Sequence, residues 1–590
     1  MAGLVMAMSA GAAPPKAQRE AEVRAVFVTT VDGVRTGHTT SVVARIAPNR
    51  TRVPSVGIME TSSSGSGDQW LTTLWQAAFT ATQATDSSLL DFEFTLRVGG
   101  LIDGPSAGLL TASTLTALIR GKKVLPHTTM TGSVNPDGSA GPVDEVLPRL
   151  RAAAADGVTR FGFPLGARQQ VDASGVVTDL LVEGRKLDVE VKELGSLDDA
   201  YLFLTGETLP RPAAASEAEL ELWPVELAAL ARLTAQVRRE FEAERPPLET
   251  ALEGASPQSV KAWRERLERS TRQAADFEKS GDTVRAMVVW SSVLTTTRVA
   301  TQDARLVHSL DAHDAAAVFA QLETQEEALP LERLSLRREI DTRFPNTTRA
   351  NDLYAMDLLE SVVTQGTTLR AGADARALRA LEPNDPAFGR LARQYAEDLL
   401  RAREELRNGQ RFLSLYASLP GLKKALPPID AGRLAAAYAA AGAISRAYFQ
   451  TRLTAPIEKD TTWLDLVGYG ELLRTETDGR ARLVLAARQT IYSAYLVNTY
   501  DALGAELDAK GVFSIRNSRA LSSQLEQARL RVQQSCGRAK RETGSIPFTA
   551  RMRYLNARAA REGSDLQKTE ALAELWIANW WCELAVRDQK

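Results

Sequence analysis

The chain has 590 residues, with 71 Lys and Arg against 73 Asp and Glu and a formal net charge of -2. That balance offers no field to hold a polyanion or an anionic membrane surface, so nucleic acid is not an expected partner. Only two cysteines occur, Cys536 and Cys582, neither in a CxxC pair nor beside a histidine pair. Zinc is therefore not suggested, and no metal or cofactor is expected.

At about 100 to 200 residues per domain the chain should contain several cores. Residues 1–20, opening MAGLVMAMSAGAAPPKAQ, read either as the second half of a secretory signal or as a disordered Ala-rich terminus. The first reading places the protein outside the cell or in the periplasm, where Cys536 and Cys582 can form a disulfide. The second leaves it cytoplasmic with two buried thiols. From there to about residue 209 strands and helices alternate. VRAVFVTTVDGVRTGHTTSVVARIAP is β-branched around an Asp-Gly turn, which predicts a hairpin. In DQWLTTLWQAAFTAT, residues Leu71, Leu74, Trp75, Ala78 and Phe79 fall at helical spacing, with Asp68 as the N-cap. DFEFTLRV alternates as a half-buried strand.

A Pro, Ala and Ser-rich linker at 210–225 follows, and the periodicity changes. Leu230, Leu233, Val237 and Phe241 recur at three and four residues, and FGRLARQYAEDLLRAREELR does likewise. Pro and Gly look confined to short connections, strand signals nearly vanish, and no fixed repeat period is found. The expectation is an α+β N-terminal domain over 21–209 followed by a large all-α helical region over 226–590, of about ten or more helices in two subdomains. The aromatics of ELWIANWWCELAV are read as packing between helices. The longest weakly polar run, LAAAYAAAGAIS, falls well short of the roughly 20 residues needed to span a bilayer, so no membrane span is expected and the protein should be soluble.

Within the first half, the DGPSAG segment follows a strand and precedes LLTASTLTALIR, placing Ser106 at a helix N-terminus. A hydroxyl there either caps the helix or attacks an acyl carbon whose oxyanion the free N–H groups stabilise. DGPSAG at 103–108, MTGSVNPDGSAGPV at 130–143 and DGVTRFGFP at 156–164 together resemble the proteolytic domain of Lon-type serine peptidases, over about residues 23–209. The form it resembles stands alone: no G-x-x-x-x-G-K-[ST] phosphate loop is present, and Gly121-Lys122-Lys123 lacks its spacing and its hydroxyl residue. The resemblance implies an ATP-independent serine endopeptidase acting on protein or peptide. It makes Ser106 the nucleophile, puts Arg149 at the position of the general-base lysine and sets Thr131 beside them. It also implies a ring-like homo-oligomer.

Arg149 departs from the family pattern. Burial brings a lysine to a pKa of about 7 to 8, whereas neutralising an arginine at pH 7 costs on the order of 9 kcal/mol. The expected Gly-Gly is also replaced, by Asp144 and Glu145, and Glu145 is placed to pair with Arg149 on a helix that Pro148 helps to start. His38, His127, Lys122 and Lys123 are the substitute bases to examine, though nothing in the sequence sets them near Ser106. His308 and His313, near Asp311 and Asp314, are five residues apart, wrong for one helix face, and read as a solvated surface. Three functions follow: a Lon-like peptidase with an unidentified base, a pseudopeptidase that binds peptides by strand addition, or a helical scaffold carrying a remnant domain.

Overall fold

The computed structural model describes residues 17–31, 34–60, 68–99, 104–171, 175–253, 257–343, 374–419, 430–451, 461–507, 513–560 and 563–586. The N-terminal residues 1–16, the Asp32-Gly33 turn and Asp103 lie outside them. The chain is mixed α and β at its start and mostly helical afterwards. It divides into two compact units.

Unit 1 takes residues 1–220, 429–453 and 486–590, and unit 2 takes 221–428 and 454–485. This differs from the boundary expected from composition, because two stretches of the helical region fold with the N-terminal segment. The amphipathic pattern shows that a helix has an apolar face but not which surface covers it.

In unit 1, β1 (Arg19–Val31) and β2 (Val34–Pro48) form the hairpin, with register closing Val31 on Val34. β3 (Ser55–Glu60) leads to α1 (Asp68–Ala84), which takes Asp68 as its first residue rather than as the residue before it. β4 (Phe92–Val98) then completes a four-stranded sheet of order β1-β2-β4-β3. Its alternation is the expected one, with Phe92, Phe94, Leu96 and Val98 buried. α2 (Gly108–Arg120) follows a 3₁₀ turn at Pro105–Ala107. Next come β5 (Thr128–Met130), β6 (Ser133–Val134), β7 (Ala140–Gly141) and α3 (Val146–Ala155). β8 (Arg160–Pro164), β9 (Gln169–Val171), β10 (Val177–Asp179), α4 (Leu180–Lys186), β11 (Glu190–Leu194) and α5 (Leu197–Thr205) end this part. β11, β8 and β5 make a parallel three-stranded sheet, and β6 pairs antiparallel with β7.

The short α6 (Glu217–Leu220) leads into unit 2, which holds α7 (Pro224–Leu252), α8 (Pro257–Lys279), α9 (Thr283–Asp311), α10 (Ala315–Arg343) and α11 (Phe388–Ser418). Pro246 and Pro247 lie inside α7 and Pro330 inside α10, so proline is not confined to connections. Packing carries α7 past its prolines, since Leu248 and Leu252 beyond them are buried. Arg298 of α9 ties this unit together through Glu244 at 2.9 Å and Glu404 at 2.5 Å.

α12 (Ala431–Gln450) belongs to unit 1 and α13 (Thr461–Thr475) to unit 2; the unit boundary then falls within α14 (Gly479–Leu496). A π-helical turn at Val497–Ala502 continues α14. A short antiparallel pair, β12 (Ala505–Leu507) and β13 (Phe513–Ile515), is a strand feature the sequence reading did not find. α15 (Ser518–Thr543), α16 (Phe548–Ala559) and α17 (Asp565–Leu584) complete unit 1.

The core of unit 1 is continuous across these distant stretches. Ala437 and Ala441 of α12 share one buried cluster with the β-sheet, α1, α2 and α5. Phe79 stacks on Tyr438 at 4.7 Å, and Tyr438 meets Trp580 edge-on at 6.3 Å. Trp576, Trp580 and Trp581 of α17 are buried. Cys536 of α15 and Cys582 of α17 form a disulfide. Among the described residues no helix is long and apolar enough to cross a membrane.

Candidate functional site

The Ser106 turn is built by backbone constraint. Gly104 adopts φ 118°, which an L side chain resists, and Pro105 starts the 3₁₀ turn with its ring-fixed φ. Gly108 then lets α2 approach the β6 backbone: a Cβ there would lie 3.0 Å from the Val134 nitrogen. The Ser106 carbonyl accepts the Gly132 N–H at 2.7 Å, and Leu109 N–H donates to the Gly132 carbonyl at 2.9 Å. Ser106 is thereby held against the Thr131-Gly132 corner, with 8% of its surface exposed.

Thr131, wholly buried, donates its hydroxyl to the Ser106 carbonyl at 3.2 Å. The same hydroxyl accepts from Arg149 Nη1 at 2.8 Å. Arg149 reaches it because α3 lies close on β2, where Gly37 leaves room: a Cβ there would sit 2.1 Å from the Pro148 carbonyl oxygen. Ser106, Thr131 and Arg149 are therefore brought together in one chain of hydrogen bonds. Arg149 does not pair with Glu145, contrary to the helix-face spacing. Glu145, at φ 60° just before α3, pairs instead with Arg35 of β2.

Burial pushes the Arg149 guanidinium down to about 10, with Asp144 opposing the shift. That is still about three units above neutral pH, or about 4 kcal/mol, so Arg149 remains a cation. The gap is smaller than the roughly 9 kcal/mol for a solvated arginine but leaves no useful fraction of free base. Its Nε is buried and has no hydrogen-bond partner among the described residues. The Ser106 hydroxyl likewise has none.

The substitute bases lie elsewhere. His38 bonds Thr29 at 2.8 Å and packs on Phe27 within the hairpin. His127 is exposed and bonds the Gly157 carbonyl at 3.0 Å, Lys122 pairs with Glu207 at 2.8 Å, and Lys123 is exposed. His308 and His313 are exposed at the end of α9, and among the described residues no group of three or more His, Cys, Asp and Glu could hold a metal ion.

A cavity of about 370 Å³ opens at Ser106. The N-terminal segment supplies Gln76, Ser106, Ser133, Asn135, Asp144 and Arg149 to its lining, and the later helices supply Ser445, Ala494, Val497, Asn498, Asp501 and Ala502. All belong to unit 1. The second group was missed in the sequence because α12 and the π turn read only as further helix. Asn498 exchanges hydrogen bonds with Gln524 at 2.9 and 3.0 Å, and Gln524 reaches the Ala140 carbonyl at 3.4 Å, fastening the roof to β7. Tyr448 donates its hydroxyl to Asp501 at 2.6 Å.

Behind the site, the Asn-Pro-Asp-Gly loop is tied to α15. Asp137 accepts from Ser139 N and Oγ at 3.0 and 2.7 Å, while Arg531 donates to the Asp137 carbonyl at 3.0 Å and to Asp198 at 3.4 Å. The second Asp137 oxygen is buried with no hydrogen bond of normal geometry among the described residues, although Trp576 lies near enough to lower the carboxyl. Burial raises this carboxyl above its ordinary range, against the Ser139 hydrogen bonds and Arg531, which lower it.

No protein-family model matches the chain, and no curated protein matches it.

Proposed function

We propose that this protein carries a Lon-type peptidase domain that no longer hydrolyses peptides and serves as a binding module, its cleft roofed by helices of the same chain. The observation that carries this reading is the placement of Arg149, a half-buried cation donating to Thr131 where a serine peptidase of this type needs a neutral amine. It is supported by the lack of any Lys or His among the described residues that line the Ser106 cavity. The Cys536–Cys582 disulfide supports residence in an oxidising compartment, in keeping with export.

The test is hydrolysis of unfolded casein without ATP by the natural protein, Ser106→Ala and Arg149→Lys. The expected outcome is no turnover by the natural protein. Turnover that Ser106→Ala abolishes would overturn the reading in favour of a serine endopeptidase with another base, a case supported by the unbonded Ser106 hydroxyl in the cavity. Turnover only in Arg149→Lys would locate the loss of activity at that one position.

A further inference from the structure

The polar groups facing the Ser106 cavity carry charges of both signs. The guanidinium of Arg149 is the cation of its lining, and Asp144 and Asp501 are the carboxylates. Arg149 makes its hydrogen bond through Nη1, and the Ser106 hydroxyl, which lines the same cavity, makes none among the described residues. A cation and a hydroxyl lining one cavity with hydrogen-bonding capacity left over are commonly completed by a ligand or water. These donors match a carboxylate, which accepts two hydrogen bonds from a guanidinium fork.

A ligand that is only an anion would meet Asp501 and Asp144. One that is only a cation would meet Arg149. A molecule with both charges satisfies Arg149 and Asp501 at once. Asp501, half-buried on the π turn, accepts one hydrogen bond from Tyr448, which leaves its carboxylate with capacity for an ammonium group. The lining is also partly apolar, from Val134, Val143, Ala494 and Val497. The cavity, at about 370 Å³, stands at the low end of ligand pockets, roughly 300 to 1,000 Å³.

We infer that this cavity binds a small zwitterion, a free amino acid or dipeptide with an apolar side chain. The ligand's carboxylate lies on the guanidinium of Arg149 and the Ser106 hydroxyl, and its ammonium group on Asp501. This rests on the reading of the site as a binding module and names what it binds. The roof residues are therefore part of the recognition surface: Asp501, from the C-terminal helical stretch, selects the ammonium group that the N-terminal domain alone does not.

The test is titration calorimetry of the full chain with L-alanine, L-leucine and L-alanyl-L-alanine, beside N-acetyl-L-leucine and L-leucinamide, each of which keeps one charge. The zwitterions are expected to bind, and either single-charge analogue to bind at least about tenfold more weakly than L-leucine. Arg149→Gln should weaken L-leucine by about thirtyfold or more, and Asp501→Asn should weaken L-leucine and L-leucinamide but not N-acetyl-L-leucine. Arg149→Lys, which keeps the charge, guards against misfolding of the glutamine variant and should retain more affinity than it. No heat from any zwitterion overturns the inference, as does binding that neither variant changes. Equal binding of N-acetyl-L-leucine and L-leucine overturns it in favour of a plain anion site. L-alanine and L-leucine contain no peptide bond, so their binding is independent of casein turnover, and the failure of either reading can be told from that of the other.

Discussion

Thr131→Val is the most direct test of the hydrogen-bond chain behind Ser106. Valine is close in shape to threonine, and Thr131 is wholly buried, so the substitution removes the hydroxyl with little change in volume. The hydroxyl accepts a bond from a cation at 2.8 Å, of the kind that contributes about 1.5 to 3 kcal/mol, and donates a second, weaker bond at 3.2 Å to the Ser106 carbonyl. Removing it also leaves Arg149 buried with Nη1 as well as Nε unpartnered. A loss of about 2 to 4 kcal/mol follows. The assay is a double-mutant cycle by urea unfolding with Arg149→Met. Once Arg149 is gone, Thr131→Val should cost only about 1 kcal/mol, for the bond to Ser106, so the coupling energy should be about 1 to 3 kcal/mol. A coupling below about 0.5 kcal/mol would refute the reasoning, because it would mean that Arg149 does not rest on Thr131 in solution.

Two further changes probe unit 1. Cys536→Ala with Cys582→Ala opens a bond between residues 46 apart, which on loop-closure grounds is worth about 4 kcal/mol. Thermal unfolding of unit 1 should fall markedly, and reductant should reproduce the loss in the natural protein; no response to reductant would mean the two thiols are not joined. For Asp137 the folded-state carboxyl is raised above its ordinary 3.8, so the folded protein binds its proton more firmly than the unfolded chain does. Its contribution is therefore present at low pH and is lost as pH rises from near 4 through the folded value. Asp137→Asn cannot ionise, so its urea midpoint relative to the natural protein should rise between about pH 4.5 and 7.5; a relative fall would show that ionised Asp137 is instead held by Arg531.

The local grammar of the N-terminal segment was legible because it is set by short-range chemistry. The β1–β2 hairpin follows from β-branched alternation about a two-residue turn, and β4 buries alternate residues as its text suggests. The Gly-Pro-Ser-Ala-Gly run marks where the backbone must turn sharply before a helix, and Gly104 and Pro105 meet that demand. The Glu145–Arg149 pairing was misread for the opposite reason. Helical spacing makes the two neighbours possible partners, but a wholly buried Thr131 acceptor and an adjacent Arg35 offered each of them a different one.

By itself, then, the sequence determined the first hairpin, α1, β4, the placement of Ser106 at the start of α2 and the presence of a cation at position 149. Those properties depend on residues near one another in the chain. Only the tertiary structure decided that α12, the π turn, α15 and α17 fold with the N-terminal segment, that Asn498 and Asp501 roof the Ser106 cavity, and that Arg149 turns onto Thr131. An apolar helix face is satisfied by any matching surface and a guanidinium by any well-placed acceptor, so their partners are chosen when the whole core assembles.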